Sequence, residues 1–497
     1  MFNTQEDKQR LLSHFSSIAS KDHFRKYYGA YCMPIFAQGY FAVTAAAGHA
    51  PYAFSFGLFF QNFTRDKEFN WNWSVEEMEN LRHAFFAALK RDASFGDAFY
   101  NAYMDDFRYF DRDAKAEEKI AFTELSNREL VDRVLALIEA AGRQGHGYAV
   151  DCFLGRAEDT WFEDRVAAYA GQHFSDADMA ALREPTHRTF VNEAFLRMVE
   201  IAILRKDGKH IEKKLDDLAR DFYWIENNYL RGTPKTAEDF LREIDDIHDP
   251  RAIHITEQKR IDDLKEKKDI IISRVSSPQM LHTFIRFLDN AAHIQDCRKQ
   301  VVLRLNYFLF FYLDELARRI GFDPELIRYI MFFELKDLLR DPDAFRSLAA
   351  ERREGCLALI DRQGCALLLR KDLEGIDLAH FFQDYHMLQE AKGTPASRGR
   401  AAGTVRVVLG SDQFDSFERG DILVTNQTTP DFLPLMKKAA AIVAEQGGMT
   451  SHAAVISREL NIPCIVGVKN AMEIFASGES VIVDAENGSI KKQISKL

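Results

Sequence analysis

The spacing of apolar residues changes once along this chain, close to residue 390, and that change limits the folds open to it. Through about residue 385 apolar positions recur at helical intervals. Beyond it they contract into short β-branched runs at 404–409 (TVRVVL), 421–425 (DILVT), 440–445 (AAIVAE), 464–468 (CIVGV) and 480–485 (SVIVDA). These alternate with short helical stretches at 430–439, 451–460 and 470–476, which predicts a compact α/β domain behind a large helical body. The stretch 391–399 (AKGTPASRG), rich in small residues and breakers, reads as a turn or flexible joint. No repeat of 20 to 50 residues is visible.

Several helices announce their own ends. Ser74 with Glu77 three positions on forms a capping-box signature before a helix over 74–93. The run 127–145 repeats the helical pattern and stops at glycine, and 187–206 and 236–247 are further candidates. The charged run 255–275 and the apolar run 278–320 predict two long packed helices. Lysines in the first of these are interspersed with acids at helical spacing, the pattern of a solvated face. Residues 355–371 read as two strands joined at Arg362-Gln363-Gly364. Phenylalanine numbers 40, and 15 of these lie between Phe36 and Phe122. Such a density suits an aromatic core, or the wall of an apolar pocket.

Composition excludes some classes. A net charge of −11 with no strong basic patch argues against a nucleic-acid phosphate binder. The six cysteines lie far apart with no CxxC pair, so neither a disulfide framework nor a metal cluster is expected, and a reducing cytoplasm is the simplest setting. The polar N-terminus does not resemble a secretory leader, and no apolar run is long enough for a membrane span.

Chemistry concentrates in residues 447–467, GGMTSHAAVISRELNIPCIVG. His452 follows two glycines, a methionine and two hydroxyl residues, and opens a short amphipathic helix. Gly447 and Gly448 let backbone approach an anion, and the first helical turn favours negative charge. Thr450 and Ser451 can donate to an imidazole or to phosphoryl oxygens. A neutral imidazole nitrogen is a competent nucleophile near pH 7. Together these suit a histidine that accepts a phosphoryl group. Thr429, Pro430 and Asp431 read as the start of a helix, and Asp484 as a turn residue before Asn487-Gly488. His380 and His386 are poorly spaced for a helical metal pair, and His49 sits in a breaker-rich loop. GRQGHGY (142–148) lacks the lysine and preceding strand of a phosphate loop.

The same segment, with 393–408, 420–448 and 478–490, resembles the mobile phosphohistidine domain of phosphoenolpyruvate-utilising enzymes. That group includes phosphoenolpyruvate synthase, pyruvate phosphate dikinase and rifampicin phosphotransferase. The resemblance covers about the last hundred residues. It implies a swivelling β/β/α fold over 391–497, His452 as the phosphoryl carrier, Thr450 as an orienting hydroxyl, and Arg458 as a further phosphoryl-site residue; the six-residue offset of Arg458 from His452 suits a structural salt bridge equally well. The family's ATP-grasp module and barrel are not recognisable here. The chain therefore divides into an aromatic-rich helical domain (1–185), a bundle-like acceptor or docking domain (186–390) and the histidine domain (391–497).

On this reading the chain is a phosphotransferase component. A separate ATP-grasp subunit, carrying ATP with Mg²⁺, would phosphorylate His452, and the group would pass to an organic hydroxyl or enolate in the helical body. No metal is assigned to the chain itself, and no nucleic-acid or membrane partner is expected. Three alternatives remain: pyruvate phosphorylation in the manner of phosphoenolpyruvate synthase, a non-catalytic phosphocarrier or regulatory protein that docks a partner, and a degenerate scaffold that never turns over.

Overall fold

A computed structural model describes residues 5–17, 24–31, 59–63, 68–152, 161–227, 232, 234–361, 364–373, 388–428, 432–448 and 451–493. The chain divides into two compact units, Met1–Ile376 and Asp377–Leu497.

The first unit is mainly helical. Its axis is the 41-residue helix Gln279–Arg319, preceded by Pro250–Ser273, so both long helices expected from the sequence are present. The Gln279–Arg319 helix buries residues on several faces, as an all-round apolar pattern requires. It packs against Phe95–Glu117 and Asn127–Gly142. Polar ties fix that packing: Arg304 bonds Asp111 at 2.6 Å, and Tyr312 donates to Glu117, which Arg133 holds at 3.1 Å. The expected helices form. Val75–Arg91 follows Ser74, and Ala237–Asp245 carries a complete Thr236–Asp239 capping box. Asn127–Gly142 is capped by Ser126 and Glu129, and GRQGHGY continues it as a 3₁₀ helix from Arg143 to Cys152. Described aromatics from the phenylalanine-rich region pack as core, with Phe85 and Phe99 edge-to-face at 5.2 Å. A second apolar cluster joins Phe190, Trp224 and Phe240 to Leu303.

This unit also holds an antiparallel sheet in the order β1-β3-β2-β4-β5. Its strands are β1 (Phe24–Tyr31), β2 (Phe59–Phe63), β3 (Glu68–Ser74), β4 (Cys356–Asp361) and β5 (Gly364–Leu369). The β4–β5 hairpin is the one expected from sequence. The three N-terminal strands are not: β2 pairs with β4, from the far end of the unit, and no local pattern declares such a partner.

The second unit is built on eight strands in the order β6-β13-β12-β8-β9-β10-β11-β7. They are β6 (Glu390–Lys392), β7 (Thr394–Ser397), β8 (Arg400–Val407), β9 (Ile422–Thr425), β10 (Ala441–Ala444), β11 (Cys464–Val466), β12 (Ser480–Asp484) and β13 (Ser489–Lys492). Strands β8, β9, β10 and β11 run parallel, and antiparallel strands flank them. The central strands are buried on both faces. Leu423, Ile442 and Cys464 belong to one core, and Ile422, Val443 and Ile465 to the other. Burial on both sides explains why these runs are continuously apolar instead of alternating.

One expectation needs correcting here. Residues 391–399 are not a joint, because β6 and β7 build them into the sheet. Their small side chains serve close packing: a Cβ on Gly393 would lie 2.6 Å from the carbonyl oxygen of Val466, and its N–H donates to Gly488 at 2.9 Å. Composition alone does not separate a crowded glycine from a flexible one. Asp484 is a turn residue as expected, accepting from the backbone of Glu486 and Asn487.

Candidate functional site

Thr425, Ala444 and Val466 end β9, β10 and β11 at one level of the parallel sheet. The loops leaving such strands at their carboxyl ends form the usual ligand-binding edge of an open α/β sheet. Here the N–H groups of Glu445 and Gln446 donate to Thr425 and Asn426, extending the β9–β10 ladder into those loops. Thr428 comes from the first loop, and Gly447, Gly448, Ser451 and His452 from the second.

His452 is the first residue of the His452–Glu459 helix and is half-buried. Its Nδ1 lies 2.8 Å from the hydroxyl of Thr428, a buried side chain. This contact can select the tautomer of the ring. If the hydroxyl accepts from Nδ1–H, the ring is the tautomer whose Nε2 carries an unshared in-plane pair, the nucleophilic form. Close by in sequence, the Oδ1 of Asn426 is buried without a hydrogen-bond partner among the described residues.

The helix is held against the sheet by small residues. Ala453, Ala454 and Ser457 are buried, Ser397 Oγ donates to the Ser457 carbonyl at 3.3 Å, and the Cys464 thiol approaches the Ala453 carbonyl at 3.8 Å. Burial pushes that thiol up to about 11, so it stays protonated and offers no competing nucleophile.

Ser451 is the N-cap: its Oγ accepts from the Ala454 N–H at 3.4 Å, and its own N–H donates to Gly448 at 3.0 Å. Gly447 adopts φ +114°, and a Cβ there would meet the Ser451 side chain at 2.7 Å, so it must be glycine for the loop to close. Gly448 is exposed with open space around it. Arg458 is exposed, and its Nε donates to the carbonyl of Ala454 at 2.8 Å, one turn back on its own helix. Thr450, Thr429, Pro430 and Asp431 lie outside the described residues, as do His49, His380 and His386. The helix expected at 430–439 is present only as Leu433–Met436. Thr428 is the participant that sequence reasoning passed over. The signal was available, since it is a hydroxyl residue just beyond the β9 run, but its contact spans 24 residues.

Comparison with known proteins points to this same C-terminal unit. Residues 417–488 match the family described as PEP-utilising enzyme, mobile domain. Phosphoenolpyruvate synthase of Pyrococcus furiosus is 50% identical over 105 residues, which is 21% of this chain and 13% of that protein. A probable phosphoenolpyruvate synthase of Archaeoglobus fulgidus is 50% identical over 99 residues, 20% of this chain and 13% of that one. Phosphoenolpyruvate synthase of Aquifex aeolicus is 47% identical over 97 residues, 20% and 11% of the two chains. The match thus spans little more than a tenth of these relatives' length and leaves the helical unit outside it. In its C-terminal part, where His452 sits at the sheet edge, this chain is similar to the mobile domain of PEP-utilising enzymes.

Proposed function

We propose that this chain is a phosphotransferase component in which His452 carries a phosphoryl group from a nucleotide-charging partner to a small organic acceptor held by the helical unit. The Thr428–His452 hydrogen bond is the observation that carries this reading. With Nδ1–H donated to Thr428, Nε2 attacks the phosphorus in line, an N–P bond forms, and the charge of the phosphoryl oxygens falls beside the first turn of the His452–Glu459 helix. Thr428 keeps the same hydrogen bond in the charged state, so the ring need not turn over between steps. The donor is ATP, bound with Mg²⁺ on a separate ATP-grasp chain; Thr450, Ser451, Gly447, Gly448 and Arg458 are assigned roles in orienting the phosphoryl group. A swivelling motion of the histidine unit would separate charging from delivery, keeping water from both reactions.

The experiment is to incubate the chain with labelled ATP and a candidate ATP-grasp partner. Acid-labile, base-stable label on the wild type that disappears in His452→Ala supports the relay; label retained in that variant removes His452 from it. A second reading draws on the names of the relatives: the acceptor would be the enolate of pyruvate. Pyruvate-dependent discharge of the label, with formation of phosphoenolpyruvate, separates it from transfer to an alcohol or phenol.

A further inference from the structure

In the helical unit, four segments bring together a group of polar and aromatic side chains. His187 precedes the Phe190–Lys206 helix, and His293 lies on Gln279–Arg319. Their rings stack face to face, centroids 4.3 Å apart and planes 5° from parallel. Tyr100, from Phe95–Glu117, places its hydroxyl 2.7 Å from His293 Nδ1. Asn290 hydrogen-bonds His187, and Asp289 is held by Lys268 at 2.7 Å and by Thr186 at 2.9 Å. Tyr100, His187 and His293 are each half-buried.

A histidine that only fills a helix interface is usually tied to a carboxylate or a carbonyl. His293 instead pairs with a second imidazole and a phenol, an arrangement that keeps both rings uncharged. Burial and the neighbouring ring push His293 down to about 4, and burial lowers His187 as well. The hydroxyl on Nδ1 repeats what Thr428 does for His452: when Tyr100 accepts from Nδ1–H, Nε2 of His293 is left as the proton acceptor.

We infer that the Tyr100–His293–His187 cluster is the acceptor subsite of the helical unit, binding a small planar hydroxyl compound, a phenol or an enol. His293 acts there as general base, and Tyr100 is a positioning residue. This assignment rests on the phosphohistidine relay proposed above. The step balances as follows. The acceptor oxygen forms its bond to phosphorus as the N–P bond to His452 Nε2 breaks. The acceptor's hydroxyl proton passes to His293 Nε2, and the electron pair of the N–P bond returns to His452. His293 ends as an imidazolium stacked on neutral His187, beside a product that has just become anionic, and then releases its proton to solvent.

The test charges the full chain chemistry-first, with phosphoramidate, so that no partner subunit is needed. Decay of the phosphohistidine ³¹P resonance is followed in buffer alone, with phenol and with pyruvate. We expect one of these probes to accelerate decay and yield its phosphate ester. In His293→Gln the probe-dependent rate falls at least about tenfold, while charging of His452 and decay in buffer are unchanged. Tyr100→Phe changes the ¹⁵N tautomer signature of His293. Wild-type discharge in His293→Gln, or no discharge to either probe in the wild type, overturns the assignment. Failure of phosphoramidate to charge the wild type above His452→Ala strikes the underlying relay instead.

Discussion

At the scale of single residues, the function assigned here turns on hydroxyl groups that choose between the nitrogens of an imidazole. Thr428→Val keeps the size of the side chain and removes the hydroxyl. It should slow charging of His452 at least about tenfold, while Thr428→Ser largely restores it. Equal rates in threonine, serine and valine forms would make the 2.8 Å contact incidental. Stability offers a second check. His293 binds its proton less tightly in the folded chain, at about 4, than in an unfolded one. The contribution of the neutral ring is therefore intact above pH 6.5 and is lost as pH falls from there toward 4. Asp296 on the same helix is raised to about 6 and titrates with the opposite sign, so wild type and variant must be compared with Asp296 present in both. Urea midpoints at pH 7.5 and pH 5 should diverge less in His293→Gln than in the wild type; an equal loss in both would contradict the assignment.

Elements were legible wherever their causes were local. The helix at 236–247, the two long helices, the β4–β5 hairpin and the five β-branched runs each carry their reason within a few residues. Strands β1 to β3 and the sheet role of 391–399 do not, because what holds them is a partner distant in sequence. The candidate site divides the same way: His452, Ser451 and Gly447 could be read from one segment, whereas Thr428 and the His187–His293 stack needed the fold. Two substitutions test packing at this scale. Gly393→Val drives a side chain into the Val466 carbonyl and should destabilise the C-terminal unit by about 1–3 kcal/mol. In the helical unit Arg352 is 1% exposed and grips Glu334 through two nitrogens at 2.6 and 2.7 Å. Arg352→Met strands that carboxylate and should cost about 3–5 kcal/mol. Chemical denaturation followed by circular dichroism reads both, and a change below half a kilocalorie in either would show the contact to be dispensable.

For the whole molecule, the two units carry separate apolar cores, and those of the C-terminal unit draw only on residues beyond 390. A fragment of residues 377–497 should therefore fold by itself and give a dispersed NMR spectrum; a collapsed, poorly dispersed spectrum would show that it needs the rest of the chain. Among the described residues no helix is long and apolar enough to cross a membrane. The Thr428–His452 pair has one further consequence. Its two halves leave different strands, with β10 threaded between them in sequence, so the hydrogen bond forms only once the parallel β9–β10 ladder is paired. On the proposed relay, competence to be charged would therefore report on the fold: a chain whose ladder is incomplete would lack the oriented imidazole.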